Sequence, residues 1–251
     1  MFFIRKFKYI MNIKIFFVYF LRLIFLSFFM YNISLNIVLG EDIEERFQGT
    51  DKMLYKVYFN GIPSGVIEWE YLGVEAVKGK DTHVLSLDAD TKIFKLLNLT
   101  SNDKVFLDVE TYLPLRVERD VTCFGKKEFI EETYNQKEGI VKILKDNSKE
   151  EEIIYQDVPI QNILALLYFF PENITLKQGE WMSFNLPTQI VKMKLLEERV
   201  LSIDKKTKTA YFIIGRGAKR FNLWLDKDDR MPLRLEFILP VGKVIIKRVS
   251  S

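Results

Sequence analysis

Beyond residue 50, apolar and polar side chains alternate with a period of two, in short runs separated by turn residues. The first example is LYKVYFNGIPSGVIEWEYLG, residues 54–73, where two runs rich in aromatic and β-branched residues flank a connection containing Gly and Pro. Turn residues recur at roughly 8–12-residue spacing, and no Pro- or Gly-rich linker divides the chain. This pattern predicts a mostly β domain, built as a curved antiparallel sheet or an open β-barrel or sandwich.

Two stretches of the chain share one pattern: VFLDVETYLPLRVER, residues 105–119, and LWLDKDDRMPLRLEF, residues 223–237. Each contains Leu-Asp, a variable connection, then Pro-Leu-Arg, an aliphatic residue and Glu. Asp can hydrogen-bond the backbone of a turn, and Pro is suited to the first position of a strand. The pattern therefore predicts the same type of hairpin twice around a curved sheet. A paired function of the two Arg-Glu sets is less favoured, because such surface pairs contribute little.

One segment breaks the β pattern: DVPIQNILALLYFFPEN, residues 157–173. Its apolar residues recur at three- and four-residue spacing, which predicts one inserted apolar helix over about 157–170. Asp157 is expected to cap this helix, Pro159 to lie in its first turn and Pro171 to end it. Because the helix is apolar on most of its surface, it must be covered on more than one side. Two interpretations remain open: a crossover that fills the core between two β halves, or a lid over an apolar cavity.

The N-terminal segment differs from the rest of the chain. It has five basic residues and no acidic one, and residues 23–40 form an uncharged, largely apolar run before the chain turns polar at Glu41. This arrangement predicts a secretory signal peptide over 1–40, with Met11 as an alternative start. An uncleaved N-terminal membrane anchor is the other interpretation, since the apolar run is close to the minimum length of a span. Either way, 41–251 is expected to be a single exported domain of the periplasm or cell envelope.

Charge and cysteine content exclude several classes of function. The chain has 37 Lys and Arg against 34 Asp and Glu, but removing the five basic residues of the N-terminal segment leaves 32 against 34, or about −2. Nucleic acid is not an expected partner, because its binding requires a basic face on the domain itself. Cys123 is the single cysteine, which excludes an internal disulfide and a thiolate metal cluster.

The residues that most often carry catalysis do not form a recognisable motif. His83 is the single histidine and lies in a strand pattern, and the chain contains no Gly-x-Ser-x-Gly sequence. Cys123 is expected to be a small buried residue rather than a nucleophile. We therefore expect no catalytic residue and no cofactor.

The charged runs are predicted to be turns or solvated surface. Asp88 and Asp90 form one acidic pair, and residues 226–229 form an acidic run that lacks the glycine and the length of a calcium-binding loop. GRGAKR, residues 215–220, is too short for a phosphate-binding loop and is predicted to be a turn with a basic rim. No metal site is expected.

What remains is the capacity to hold an apolar ligand. A β domain with an apolar helix can enclose a cavity for an apolar or amphipathic molecule, such as a lipid or a lipoprotein acyl chain. The alternative is a structural or interaction module of the envelope, with a filled core, an envelope protein as partner and no small-molecule ligand. Membrane contact through residues 1–40 is expected if that segment is not cleaved. The residues expected to line the ligand site are Ile163, Leu164, Leu167, Tyr168 and Phe169 of the helix and Trp69 and Trp224 of the sheet.

Three stretches resemble the DUF3108 family of exported bacterial proteins: GIPSGVIEWE, QNILALLYFFP and FNLWLDKDDRMPLRLEFILPVGKVIIKRV. The resemblance spans most of residues 51–249 and is most specific at Trp224-Leu-Asp with Asp228-Asp229-Arg-x-Pro232. It implies export and no established activity. The hairpins also resemble those of the LolA and LolB lipoprotein carriers, whose half-open β-barrel cradles acyl chains beneath helices. That second resemblance concerns the fold alone.

The central helix departs from the pattern of the family it resembles, which runs Gln-Asp-x-x-Ser-x-x-Tyr-x-x-Arg. Gln161 and Tyr168 match, whereas Asn162, Ala165 and Pro171 stand where Asp, Ser and Arg would be. If those polar groups carry a shared activity, this chain has lost or altered it. If they only anchor the helix, the fold is unaffected.

Overall fold

The computed structural model of the protein describes residues 52–77, 79–93, 97–146, 151–173, 177–203, 206–240 and 242–249. These residues form fourteen β-strands and one helix, α1 (Ile163–Asn173). The strands are β1 Lys52–Phe59, β2 Ile62–Val77, β3 Lys80–Ile93, β4 Leu97–Asp108, β5 Pro114–Cys123, β6 Lys126–Asn135, β7 Ile140–Lys145, β8 Glu152–Tyr155, β9 Trp181–Leu186, β10 Gln189–Ile203, β11 Lys206–Arg216, β12 Arg220–Asp226, β13 Pro232–Leu239 and β14 Gly242–Arg248.

The N-terminal segment 1–40, predicted to be a signal peptide or an anchor, lies outside the described residues. In the part of the chain that the structure describes, no helix has both the length and the apolar character needed to cross a bilayer.

The fourteen strands pair antiparallel in one sheet, in the order β8-β7-β6-β5-β4-β3-β2-β1-β14-β13-β12-β11-β10-β9. Neighbours in the sheet are neighbours in the chain, except that β1 pairs with β14 and so joins the two halves in the middle of the sheet. The edges are β8 and β9, and the described residues form no ladder between them. The prediction of a curved antiparallel sheet or open β-barrel with one inserted helix is confirmed.

The first predicted hairpin forms between β1 and β2. Phe59 pairs with Ile62, so the connection is the two-residue Asn60-Gly61 turn, and both residues have positive φ, 50° and 82°. Asn and Gly tolerate this conformation better than other residues, and the resulting turn matches the twist of the flanking strands. The Asn60 side chain also accepts a hydrogen bond from the backbone N–H of Lys243 at 2.8 Å, which attaches the turn to β14.

The repeated sequence pattern forms the β4–β5 and β12–β13 hairpins. In the first, Asp108 Oδ1 accepts hydrogen bonds from the backbone N–H groups of Glu110 at 3.1 Å and Thr111 at 2.9 Å. In the second, Asp226 Oδ1 accepts one from Asp228 N–H at 3.1 Å. In both turns the Asp N–H donates to the carbonyl of the residue before Pro, at 3.0 Å and 2.9 Å. The chain therefore uses one type of Asp-initiated hairpin twice, as the sequence predicts.

Alternation along the strands separates two faces of the sheet. Val105 and Leu107 of β4, and Leu223 and Leu225 of β12, lie in the main core cluster together with α1. We call the face that packs against α1 the inner face and the opposite one the outer face. The residues between them on each strand, such as Trp224, point to the outer face.

The main core lies between the inner face and α1. The side chains of residues 164–169 are all buried, and all belong to this cluster. A second, smaller cluster surrounds Val57 and Phe59, and a third lies around Phe212 and Trp224. The helix is thus packed as a central element of the core.

Helix α1 begins at Ile163, so the predicted start at Asp157 was wrong. Asn162 is the N-cap: its Oδ1 accepts a hydrogen bond from Leu164 N–H at 2.9 Å. Asp157 does not take this role: Val158, which follows it, precedes Pro159, and helical geometry is disfavoured for a residue before proline.

The predicted end of the helix also needs correction. Pro171 lies inside the last turn, since α1 continues to Asn173. Its fixed φ is close to that of a helix, but it removes one backbone hydrogen bond and its ring crowds the carbonyl four residues before it, so it weakens this last turn.

We predict that Asp108→Ala destabilises the fold by about 1–2 kcal/mol at neutral pH, because it removes the acceptor of the turn N–H groups. Burial alone would raise the pKa of Asp108, but the hydrogen bonds from Thr111 and Glu110 outweigh it and lower the pKa below 3.8. Since the folded-state pKa is the lower one, this stabilisation is present above pH 3.8 and is lost as the pH falls through the folded-state pKa.

Urea unfolding of the wild type and of Asp108→Ala as a function of pH measures this effect. The exposed Glu110→Ala, in the same turn, is the control and should change stability little. A stability difference between wild type and Asp108→Ala that stays constant into strong acid would contradict the role given to the carboxylate.

Candidate functional site

A buried ion network lies on the inner face of β4, β5 and β6. Arg119 donates from Nε to Asp103 Oδ2 at 2.7 Å and from Nη1 to Glu132 Oε1 at 3.3 Å. The second oxygen of Asp103 accepts a hydrogen bond from the Ser101 hydroxyl at 2.5 Å. Burial alone would lower the pKa of Arg119, but the carboxylates of Asp103 and Glu132 raise it, so the guanidinium stays charged.

The network continues from the sheet to the start of α1. The Tyr134 hydroxyl donates to Glu132 Oε2 at 2.6 Å. Burial, together with the charge of Glu132, raises the pKa of Tyr134 well above 10.0, which keeps the hydroxyl protonated and able to donate. The side chain of Asn162 also hydrogen-bonds Tyr134. The N-cap residue of the helix is therefore bonded to a charged group of the sheet through one phenol.

This arrangement is suited to positioning the helix. Both carboxylates are engaged by Arg119, and hydrogen bonds occupy further oxygens of Asp103 and Glu132. Among the described residues, no group of three or more His, Cys, Asp and Glu side chains is placed to hold a metal ion. A buried ion pair of this kind gives little net stability compared with apolar packing, but it strongly penalises loss of one partner.

The middle of α1 packs against aromatic side chains of the sheet. The Tyr168 ring lies 5.5 Å from the Trp69 ring and 6.2 Å from the Tyr71 ring, and Trp69 in turn lies 6.2 Å from Tyr55. Such tilted pairs add to the area that is buried. The indole Nε1 of Trp69 is buried here and has no hydrogen-bond acceptor among the described residues.

His83 belongs to the neighbouring part of the same aromatic surface. Its ring stacks on Tyr112 at 5.1 Å, and Phe169 of α1 lies 4.7 Å from Tyr112 and 5.8 Å from His83. The Nδ1 atom of His83 is 2.7 Å from the Tyr71 hydroxyl. The histidine thus helps to hold the helix against the sheet.

The gap between the two sheet edges is bridged by the connection that leads into α1. We call residues 156–161 the seam segment. On one side, Gln136 of the β6–β7 turn binds both backbone groups of Ile160: Nε2 donates to the carbonyl at 2.8 Å and Oε1 accepts from the N–H at 3.0 Å. The Gln156 N–H donates to the Gly139 carbonyl of the same turn at 2.8 Å.

On its other side the seam segment contacts β9. The Gln161 N–H donates to the Asn185 carbonyl at 2.6 Å, and Asn185 Nδ2 donates to the Asp157 carbonyl at 3.0 Å. The Gln156 side chain donates to the Leu186 carbonyl at 2.9 Å. A few hydrogen bonds, several of them from side chains, therefore join the edges where a strand ladder would otherwise do so.

The structure brings six of the seven predicted lining residues together. Trp69 is buried in the main core with Leu164, Leu167, Tyr168 and Phe169, and Ile163 packs against that core from a partly buried position.

Trp224 is not part of this group. It lies on the outer face, in the cluster that contains Phe212, where its ring is 4.9 Å from Phe212 and 5.4 Å from the Arg234 guanidinium. The parity of β12 explains this placement, because Leu223 and Leu225 occupy the inner face.

A concave pocket of about 540 Å³ lies on the outer face of β2 to β6, away from α1. Several of its side chains are acidic or amide-bearing, and they form cross-strand neighbours such as Glu68 with Asp88 and Asp88 with Asn102. The residues that line it are Val66, Glu68, Asp88, Ala89, Asp90, Thr100, Ser101, Asn102, Asp120, Thr122 and Lys127. Asp88 and Asp90, predicted to be solvated, are exposed.

The inner network was missed by the sequence analysis, although a signal for it was present. On β4, Val105 and Leu107 alternate with polar residues, and continuing that parity places Asp103 on the inner face. The same extension from Val117 places Arg119 there. Charged residues at core positions of two adjacent predicted strands indicate a buried pair.

Comparison with known proteins identifies the family of this chain. A family model described as a protein of unknown function, DUF3108, matches residues 54–248. The chain belongs to the DUF3108 family. A comparison with proteins of curated function finds no match.

Among solved structures, this DUF3108 chain is similar to the β-barrel-like protein of domain of unknown function DUF1849 from Brucella abortus. The TM-score is 0.51 at 9% identity, covering 79% of this chain and 95% of that chain. A predicted lipoprotein of Parabacteroides distasonis also matches, with a TM-score of 0.28 at 11% identity, covering 81% of this chain and 96% of the other. At these identities the first similarity supports the fold, and the second supports no further conclusion.

Two positions of the motif of the family that the chain resembles attach α1 to its surroundings: Asn162, which departs from the motif, and Tyr168, which matches it. Asn162 caps α1, and aspartate at the same place would also be an effective cap. Tyr168 packs against Trp69 in the main core. These two positions hold the helix in place.

We predict that Arg119→Met destabilises the fold by about 3–5 kcal/mol, because it leaves the carboxylates of Asp103 and Glu132 buried without a counter-charge. Lys142→Met is the matched control, because Lys142 pairs with Glu151 on the surface at 3.1 Å. This substitution should lower the free energy of unfolding by only about 0–1 kcal/mol. Urea unfolding of both variants measures the difference, and equal costs would contradict the role of Arg119 in anchoring the core.

Proposed function

We propose that this DUF3108 protein is a non-catalytic binding protein of the cell envelope, and that its ligand is an apolar or amphipathic molecule such as a lipid or an acyl chain. In this proposal α1 occupies the ligand volume when no ligand is bound and is displaced when one enters. The observation that carries the proposal is a helix whose residues 164–169 are buried within a sheet whose described strands leave a gap.

The number of strands supports this proposal. About eight strands curve into a barrel whose own side chains fill the interior, and larger barrels enclose a ligand cavity, a channel or a separate filling element. The fourteen-stranded sheet described here is well above that size, and α1 is the filling element. An apolar ligand would satisfy the same requirement.

The free energies of burial of the helix side chains and of an acyl chain are similar, so one can replace the other. Burial of a large apolar side chain contributes about 1.5–3 kcal/mol, so five of them on α1 contribute on the order of 10 kcal/mol. Transfer of about fifteen methylene groups from water contributes roughly 12 kcal/mol. The five side chains are Leu164, Leu166, Leu167, Tyr168 and Phe169. A long acyl chain can therefore replace the helix without a large net change, which suits uptake and release.

The polar contacts of the helix are consistent with its displacement through the gap between the sheet edges. The network from Arg119 holds α1 at its N-terminal end, through Asn162, and the rest of the helix is held by packing. The seam segment is held by separate hydrogen bonds, each of which contributes only about 0.5–1.5 kcal/mol. The unpaired N–H of Trp69 offers a hydrogen bond to a carbonyl or ester oxygen of the ligand.

The location proposed here rests on the sequence of the N-terminal segment. Its basic start and apolar run are typical of a signal peptide or anchor, and both direct export.

The direct test is native mass spectrometry of the full chain, exported with its own N-terminal segment and purified without detergent, followed by solvent extraction. We expect a stoichiometric lipid. Leu164→Asp/Leu167→Asp weakens the burial of the helix that competes for the same volume, so this variant should hold the lipid at least as tightly as the wild type. Val200→Asp, on an exposed side chain, is the control for the charge and should keep the lipid. Circular dichroism establishes that each variant is folded, and loss of the lipid from folded Leu164→Asp/Leu167→Asp would contradict displacement of the helix by the ligand.

A second variant tests the same site without risk to the core. Trp69→Phe keeps an aromatic ring but removes the N–H donor, so affinity for a carboxyl- or ester-bearing single-chain lipid should fall roughly tenfold. Trp224→Phe, in the outer-face cluster that contains Phe212, should leave affinity unchanged. Equal affinity of wild type and Trp69→Phe would exclude Trp69 as the polar contact.

An interaction module with a filled core is the second candidate, favoured by the exposed edge of the sheet. Ile153 and Tyr155 of the edge strand β8 are exposed, as is Leu144 of β7. An edge strand with apolar side chains is a template for pairing with another chain. This candidate would be favoured if native mass spectrometry gave the mass of the protein without ligand and single-chain lipids failed to bind the folded protein.

A further inference from the structure

A row of cations crosses three strands on the outer face. It lies in the half of the sheet formed by β9 to β14, whereas the acidic pocket lies on the same face of β2 to β6. Lys192 of β10 pairs with Arg216 of β11, and Arg216 pairs with Arg220 of β12. Residues that pair directly across antiparallel strands point to the same face. That face is the outer one, because Val191 and Met193, on either side of Lys192, lie in the inner cluster.

A second row lies beside the first and adds an aromatic residue. Trp181 of the edge strand β9 pairs with Lys194 of β10. The guanidinium of Arg216 lies 4.1 Å from the centre of the Trp181 ring, and the Lys194 ammonium lies 6.0 Å from it. Lys219, in the turn between β11 and β12, completes the group. We call Trp181, Lys192, Lys194, Arg216, Lys219 and Arg220 the basic outer patch.

The charges of this patch are not neutralised locally. Among the described residues, none of its five cations forms an ion pair with an acidic side chain. The acidic residues nearest to them in sequence, Glu197 and Glu198, pair instead with Arg199 and Lys227. Elsewhere many cations are paired, as Lys208 is with Asp226 at 3.0 Å. The domain beyond the N-terminal segment carries about −2, so a patch of five cations is a local departure from the overall charge.

Apolar groups lie within and beside the cations. Trp181 is 39% exposed, whereas the other two tryptophans, Trp69 and Trp224, are 4% and 7% exposed. Ile238 of β13 is 63% exposed and continues the row of Arg220, since the adjacent residues Phe221 and Phe237 are paired. Tryptophan with Lys and Arg is the combination that favours the interface between a lipid bilayer and water.

We propose that the basic outer patch docks the protein on an anionic lipid surface. Each cation near such a surface strengthens binding roughly fivefold, and the rows place several of them on one face of the sheet. Trp181 and Ile238 supply apolar contacts at the level of the headgroups. Because β9 is an edge of the sheet, a docked membrane would lie beside the seam segment, although docking itself does not require the ligand proposed above.

The test is binding of the full chain to vesicles of phosphatidylcholine alone and with about a third of phosphatidylglycerol, by co-sedimentation. We expect binding only to the anionic vesicles, and loss of binding at about 1 M salt, where the screening length is about 3 Å. Lys192→Gln/Arg216→Gln/Arg220→Gln should weaken binding roughly 100-fold.

The matched control is Lys104→Gln/Lys126→Gln/Lys137→Gln, which removes the same charge from other parts of the domain. It should bind like the wild type. Both triple variants keep residues 1–40, so any vesicle binding through that segment is the same in both and does not affect the difference between them. Equal binding by the two variants would overturn the proposal, as would capture of nucleic acid with no binding to anionic vesicles.

Tryptophan fluorescence gives an independent readout, because Trp181 is the exposed one of the three tryptophans. Transfer of its ring from water to the headgroup region should shift the emission to shorter wavelength when anionic vesicles are added. Trp181→Phe should abolish the shift and lower the affinity. A shift that persists in Trp181→Phe, or vesicle binding with no shift in the wild type, would show that another surface makes the contact.

Discussion

The width of its interior is the constraint on which the rest of this structure depends. A sheet that curves through fourteen strands encloses more space than its inward side chains can fill, and an empty apolar interior is costly because the lining residues lose their packing contacts. Helix α1 supplies the missing volume with five large apolar side chains. Its lack of a polar face follows from this position, since the sheet surrounds it on more than one side. The outer face does not enclose a space that must be filled, and it carries the acidic pocket and the basic outer patch.

An apolar helix in an apolar space has no unique orientation unless polar groups define one. The chain Asp103–Arg119–Glu132–Tyr134–Asn162 defines the N-terminal end of α1, because displacing it would break hydrogen bonds among buried groups. Such networks contribute to specificity more than to net stability. The seam segment performs a related task at the sheet edges, where Gln136 binds both backbone groups of Ile160 as a strand would. The helix is therefore well placed at one end and held by packing along the rest.

Much of the fold could be predicted from sequence because it depends on local patterns. The period of two, the Asn60-Gly61 turn and the paired Asp hairpins need only nearby residues. The start of α1 was misplaced at Asp157 because helical spacing outweighed the effect of Pro159 on the residue before it. Trp224 was assigned to the ligand site together with Trp69, whereas the parity of β12 places it in a buried cluster on the outer face. The basic patch could be predicted only in part: GRGAKR indicated a basic turn, but the proximity of Lys192 and Lys194 follows from strand register.

Hydrogen exchange at the amides of residues 164–169 tests the central claim, that α1 fills the space which a ligand takes. The measurement compares the protein alone with the protein saturated by a single-chain phospholipid. We expect the helix amides to lose protection when the lipid binds, while the amides of β3, β4 and β5 keep theirs. Protection of α1 that is unchanged at saturation would contradict the account, because the lipid would then be bound elsewhere and the helix would be a permanent part of the core.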